Sequence, residues 1–200
     1  VVADDPGMHS SQNEQDTRQY ARFAKIPILE PSDAEEAKEF MKRAFEISEK
    51  YSTPVILRST TRISHARSLV NLGERHQHER KPFEKNPPKF VPIPAWGRKM
   101  RLKVEERLHD LRTGAEKSPL NPIEMHSNEI GIITSSIAYQ YVKEVFPEAS
   151  VLKLGWSYPF PDSLIREFAG KVKRLLIVEE LDDFIEEHVR ALGITCEGRN

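Results

Sequence analysis

The sequence predicts an α/β protein, with a partial doubly wound parallel-sheet domain and a second, small three-layer α/β domain joined by a Pro-rich crossover. Two observations carry this. Strand-like apolar runs alternate with amphipathic helical stretches at both ends of the chain, and short connections between such elements favour parallel sheets. Between Asn71 and Asn128 the alternation breaks, and seven of the 14 prolines fall there. The expected division is 1–68, 69–128 and 129–200. A total of 200 residues is long for one domain and short for two.

Val1-Val2-Ala3 reads as the end of a buried parallel strand that opens into a loop at Asp4-Asp5-Pro6-Gly7, so the chain is expected to be an internal piece of a longer protein. A helix is expected from Asn13 to Ala24, with Glu14, Gln15 and Asp16 in its first turn and Tyr20, Phe23 and Ala24 on one face. Ile26–Leu29 is a short strand. The three- and four-residue spacing of Ala37, Phe40, Met41, Ala44, Phe45 and Ile47 predicts a helix over Ala34–Lys50, capped by Ser32 or Asp33. Thr53–Arg58 is the next strand, running into Ser59-Thr60-Thr61-Arg62. Arg80–Pro94 reads as irregular. Met100, Val104, Leu108 and Leu111 mark a docking helix closed by Gly114. Then come strand Ile130–Thr134, helix Ser136–Phe146, strand Ser150–Leu154, helix Pro161–Gly170, strand Arg174–Val178 and helix Asp183–Leu192.

Thirty Lys and Arg against 31 Asp and Glu give a net charge of −1, so no global field recruits nucleic acid or an anionic membrane. No apolar run approaches the roughly 20 residues of a membrane span. The cytoplasm is the simplest compartment. The single cysteine, Cys196, excludes an internal disulfide and a cysteine-ligated cluster within the chain, and a catalytic role for it is not expected. Neither GxGxxG nor GxxxxGK[ST] occurs.

The polar run from Asp4 to Asp16 leaves the carboxyl end of a strand, where open α/β sheets bind ligands. Its candidate lining residues are His9, Ser10, Ser11, Gln12 and Glu14, with His9 able to move a proton near neutral pH. Capping by Ser10, Ser11 or Asn13 in a solvated loop is the plainer alternative. Arg62 and His65 follow the carboxyl end of another strand and can border the same crevice, with Arg62 able to grip a carboxylate or phosphate. Ser135 and Ser136 stand at a strand-to-helix turn as a candidate anion site, although N-capping explains them better. Glu179-Glu180 and Asp182-Asp183 are expected to cap the last helix. His76 and His78 have no metal-ligand spacing, and no metal site is expected.

Longer strings carry a resemblance. Asp-Asp-Pro-Gly-Met-His-Ser-Ser-Gln-Asn-Glu-Gln-Asp (4–16), residues 20–27, Glu30-Pro31-Ser32, Thr60-Thr61-Arg62-Ile63-Ser64-His65 and Lys153-Leu154-Gly155-Trp156-Ser157-Tyr158-Pro159-Phe160-Pro161 resemble the alpha subunit of indolepyruvate ferredoxin oxidoreductases, in the thiamine-diphosphate-dependent 2-oxoacid:ferredoxin oxidoreductase family. The resemblance implies a parent enzyme that oxidatively decarboxylates arylpyruvates to aryl-acetyl-CoA. Its cofactors would be thiamine diphosphate, magnesium and iron–sulfur clusters, and its partners a beta subunit, ferredoxin and coenzyme A. Residues 1–68 would be the C-terminal half of a pyrimidine-binding-like domain, and 129–200 a transketolase C-terminal-like domain. The glutamate expected to activate the aminopyrimidine, the diphosphate-binding domain and the cysteine-rich tail have no counterpart here. The isolated chain is therefore expected to bind none of these cofactors fully and to be inactive. A coenzyme A-binding module or a subunit-interaction scaffold without catalysis are the alternatives.

Overall fold

A computed structural model of the chain describes residues 1–75 and 82–199; His76, His78, Arg80 and Lys81 lie outside the described residues. The strands are β1 (Val2–Asp4), β2 (Ile28–Leu29), β3 (Ile56–Thr60), β4 (Ile123–Glu124), β5 (Ser127–Thr134), β6 (Ala149–Lys153), β7 (Trp156–Tyr158) and β8 (Arg174–Val178). The helices are α1 (Arg18–Ala24), α2 (Ala34–Tyr51), α3 (Thr61–His65), α4 (Pro87–Phe90), α5 (Pro94–Glu116), α6 (Ala138–Val145), α7 (Asp162–Ala169) and α8 (Phe184–Ala191).

Two four-stranded sheets form, in the orders β1-β3-β2-β7 and β4-β6-β5-β8. In the first, β3 runs parallel to both β1 and β2, with Asp4 opposite Thr60 and Ile28 opposite Ile56. In the second, β5 runs parallel to both β6 and β8. The expected α/β class with parallel-dominated sheets is what the chain adopts. Each sheet also gains an antiparallel edge strand that no periodicity announced. β4 pairs with β6, so residues expected in the crossover add to the second sheet. β7 pairs with β2, so a segment following the second sheet's β6 completes the first.

Phe40, Ala44 and Ile47 of α2 pack against Leu29, Leu57 and Trp156, with Leu111 and Ala115 of α5 closing the cluster. Each fully buried side chain of this kind contributes about 1.5–3 kcal/mol, so the α5 end is docked by packing, as its amphipathic pattern requires. In the second sheet Ile133, Leu152 and Ile177 pack with Ile165 and Phe168 of α7 and Phe184 and Val189 of α8. Ile132 and Val151 point the other way, to Val142 of α6. That makes three layers.

Several boundaries differ from the sequence expectation, each for a physical reason. The first helix begins at Arg18 rather than Asn13, because the preceding amides are taken by acids. Asp5 accepts from the backbone N–H groups of His9, Ser10 and Ser11, and Asp4 from that of Thr17. Glu14, Gln15 and Asp16 therefore lie ahead of the helix and Ser10, Ser11 and Asn13 do not cap it. Its inward face is Arg18 and Ala21, while Tyr20 and Phe23 are 67% and 88% exposed. β3 sits further along than expected because pairing with β1 and β2 sets its register. Pro87 starts a single turn, α4, inside the stretch expected to be irregular; proline is tolerated in a helix's first turn. α5 runs past Gly114, which serves as a site of close approach rather than a stop.

Candidate functional site

The carboxyl ends of β1 and β3 meet where Thr61 donates to Asp5, and Arg18 of α1 reaches Glu179 just past β8. Asp5 organises the 5–16 loop after β1. Besides the three amides, its carboxylate accepts from Thr61 Oγ1 at 2.6 Å, and this bond, followed by the Ser10 and Ser11 amides, pulls its pKa far below the usual carboxylate range. The loop turns at Gly7 and Met8, both at positive φ, and a side chain at Gly7 would stand 3.0 Å from the His9 ring. Glu14 Oε1 accepts from the Gly7 N–H at 3.1 Å and closes the loop on itself.

His9 Nε2 lies 3.1 Å from Arg62 Nη2. A guanidinium can only donate, so Nε2 accepts and the ring carries its proton on Nδ1. The Arg62 guanidinium in turn lies 6.0 Å from the Tyr141 ring of α6. One turn of α6 also bridges to the first sheet, where Gln140 Nε2 donates to Ser32 Oγ and Asp33 Oδ2, each at 3.3 Å. The 5–16 loop, α3 and α6 thus meet through His9, Arg62 and Tyr141. His9 meets Arg62 directly, while Ser10 and Ser11 are held through their amides on Asp5 and Glu14 through the Gly7 N–H. Gln12 and His65 are exposed, and among the described residues no hydrogen bond or ion pair ties them to this group.

Ser135 and Ser136 are buried, Ser136 is at φ +52°, and Ser136 Oγ has no hydrogen-bond partner among the described residues. The expected N-capping bond is not made: α6 starts without a side-chain cap. Glu179 does cap α8, accepting from the Ile185 and Glu186 N–H groups at 3.0 and 2.9 Å. Burial pushes the pKa of both Glu179 and Glu180 up, against the pull of Arg18 on Glu179 and of Arg58 and Arg62 on Glu180.

Beside these contacts lies a buried ionic layer that sequence reasoning missed. Arg58 pairs with Asp4 and, at 2.6 Å, with Glu30. Arg18 pairs with Asp16 and Glu179, each at 2.6 Å. Lys153, at the end of β6, donates to Ser32 Oγ at 2.8 Å and pairs with Glu36. One signal existed for Arg58, a cation at the end of the otherwise apolar run Val55-Ile56-Leu57.

No protein-family model matches the chain. Among curated proteins it is 46% identical over 200 residues to the indolepyruvate oxidoreductase subunit IorA of Methanothermobacter thermautotrophicus, covering 96% of this chain and 32% of that protein. It is 48% identical to IorA of Pyrococcus abyssi, over 95% of this chain and 31% of that protein. The chain resembles one third of an IorA subunit. It spans about a third of the length of the curated relatives it matches. The 2-oxoglutarate synthase subunit KorA of Methanothermobacter marburgensis is 25% identical over 77% of this chain and 52% of its own length. Among solved structures, a 2-oxoglutarate:ferredoxin oxidoreductase from Magnetococcus marinus, with 2-oxoglutarate, coenzyme A and succinyl-CoA bound, superimposes with a TM-score of 0.59 at 13% identity. The match covers 87% of this chain and 38% of that one, and it speaks to the fold. The IorA relatives are oxidoreductase subunits, and no described helix is long and apolar enough to cross a membrane.

Proposed function

We propose that this chain is part of a cytoplasmic 2-oxoacid oxidoreductase subunit. The parent would decarboxylate arylpyruvates such as indolepyruvate to aryl-acetyl-CoA, with ferredoxin as electron acceptor and a beta subunit as partner. What carries the reading is the 46–48% identity to IorA over 95% or more of the chain. Among the described residues no group of three or more His, Cys, Asp or Glu is arranged to hold a metal, and one cysteine cannot ligate a cluster. The magnesium and iron–sulfur groups of the parent therefore do not fit this chain alone, and no step is assigned through them. Thiamine diphosphate, bound mainly by the rest of the parent, would supply the nucleophile and electron sink for decarboxylation.

The chain's own part is the substrate-side wall. Asp5 holds the loop in shape, and Arg62 with His9 presents a cation and a ring nitrogen side by side, suited to a 2-oxoacid carboxylate. Ser10, Ser11, Gln12 and Glu14 line the approach, with His65 beside it. Substituting His9 and Ser11 in the complete enzyme should lower arylpyruvate turnover at least tenfold while shifting the melting temperature by about 2 °C or less. Unchanged turnover overturns the assignment of the loop. The isolated chain should show no turnover with thiamine diphosphate, coenzyme A and ferredoxin; activity there refutes the division of labour.

One observation favours a second reading. The unpartnered Ser136 Oγ at the start of α6 suits a phosphate group, so the second sheet would bind coenzyme A through Ser135 and Ser136. Calorimetric titration of the chain with coenzyme A tests this, and no heat of binding up to millimolar ligand removes it.

A further inference from the structure

Arg18 is 1% exposed, and its guanidinium is fully engaged. Nε donates to Asp16 Oδ1 and Oδ2 at 2.9 and 3.1 Å, and Nη2 to Oδ2 at 2.6 Å. Across some 160 residues of sequence, Nη1 donates to Glu179 Oε2 at 2.6 Å, and Nη2 to the carbonyls of Glu180 and Asp182 at 2.8 and 3.0 Å. The same cation lies 5.2 Å from the Phe184 ring centroid. Burial works against its charge, and the bonds to Asp16, with the charges of Glu30, Asp16 and Glu179, more than offset that penalty. Asp16 and Thr17 form the exit of the 5–16 loop. Thr17 is tied to Asp4 through both its N–H and its hydroxyl, while Asp5 ties the front. The loop is therefore a strap fixed at both ends to the first sheet, and among the described residues only its Asp16 end is fastened, through Arg18, to the β8–α8 turn of the second.

We propose that Arg18 is a positioning residue that sets the spacing between the 5–16 loop and the second sheet, and so decides whether His9 meets the Arg62 that stands by Tyr141. This rests on reading that loop as the substrate-side wall, but its test reads how firmly the loop is held and not turnover, so either idea can fail alone. The chemistry demands arginine. A planar fork serves a carboxylate side-on, a second carboxylate and two carbonyls together, whereas a lysine ammonium offers three donors from one point. Arg22 is the natural control, since it lies on the same helix and reaches Glu187 of α8 through an exposed pair.

The experiment is hydrogen–deuterium exchange on the whole chain with Arg18→Lys, Arg22→Met and Glu179→Gln. In Arg18→Lys the segments 5–17 and 182–187 should exchange about tenfold faster together, while α2 and α6 keep their rates. Arg22→Met should leave both segments unchanged. Glu179→Gln keeps a hydrogen-bonding side chain on Arg18 and provides the same readout should Arg18→Lys not fold; it should loosen both segments in parallel by a smaller factor. In Arg18→Lys, faster exchange of 182–187 with 5–17 untouched overturns the proposal, because Arg18 would then not hold the loop. In Glu179→Gln, whose altered cap on Ile185 and Glu186 loosens 182–187 by itself, an untouched 5–17 overturns it for the same reason.

Discussion

Replacing Arg58 by methionine tests the ionic layer most directly. Arg58 is 1% exposed and Glu30 is 0% exposed, and the two meet at 2.6 Å. Methionine keeps much of the stem's volume, so the perturbation is chiefly electrostatic. Asp4 retains its bonds from Thr17, but Glu30 loses the cation that compensates it. Removing one partner of a buried pair costs about 3–5 kcal/mol. At about 2–4 °C per kcal/mol for a chain of this length, the melting temperature should fall by about 6–20 °C. Lys25→Met is the matched control: Lys25 meets Glu105 at 3.5 Å in a well-exposed pair, worth about 1 kcal/mol or less. Adding Glu30→Gln to Arg58→Met should recover part of the loss, because the uncompensated charge disappears with it. The assay is thermal unfolding followed by far-UV circular dichroism, with urea midpoints as a check. If Arg58→Met lies within error of Lys25→Met, the layer is not electrostatically coupled and the reasoning fails.

Four further outcomes follow from the same geometry. Gly114→Ala places a methyl group against Tyr51 Oη and 3.3 Å from the Trp156 ring, so the overpacking cost of about 1–3 kcal/mol should exceed the helix-propensity gain of about 1 kcal/mol; a melting temperature above the wild-type value would contradict this. Thr61 and two amides hold the Asp5 pKa down, and the depressed pKa values of Asp16, Asp162 and Glu124, despite their burial, follow from their bonds to Arg18, His188 and Lys143. Their stabilisation is complete above the ordinary carboxylate pKa and is lost as pH falls through the folded values, so the urea midpoint should drop below about pH 4.5. Glu180, raised by burial, has the opposite sign: its protonation favours the fold as pH falls, so Glu180→Gln should make the acid loss steeper, and a shallower loss would refute the assignment. Cys196 is buried and its thiol is pushed up by that burial, so an aromatic disulfide reagent should label it only as the chain unfolds in urea, and complete labelling within minutes in native buffer would be inconsistent with the packing.

The sequence by itself determined the repeating βα units, because helical and extended periods are local properties. Phe40, Ala44 and Ile47 declare the inner face of α2 at three- and four-residue spacing, and Asp33 caps it by accepting from the Glu36 N–H at 2.8 Å, as its position suggests. The loop after β1 was legible for a similar reason, since thirteen residues from Asp4 to Asp16 contain no side chain able to build a core except Met8. Tertiary structure alone decided three things. It placed β7 on the first sheet, a pairing between residues far apart in sequence that no period of two or 3.6 encodes. It brought Arg62 of α3 to His9 and Tyr141, which belong to separate segments. It also turned Arg18 and Arg58 inward. Read locally, an arginine belongs in water; the acids that make Arg58 burial tolerable come from β1 and the end of β2 as the first sheet assembles, and Arg18 adds Glu179 from the end of β8 only when the second sheet docks. Charge burial depends on partners at long range, so a chain read in order shows the cation and the acids without showing that they meet.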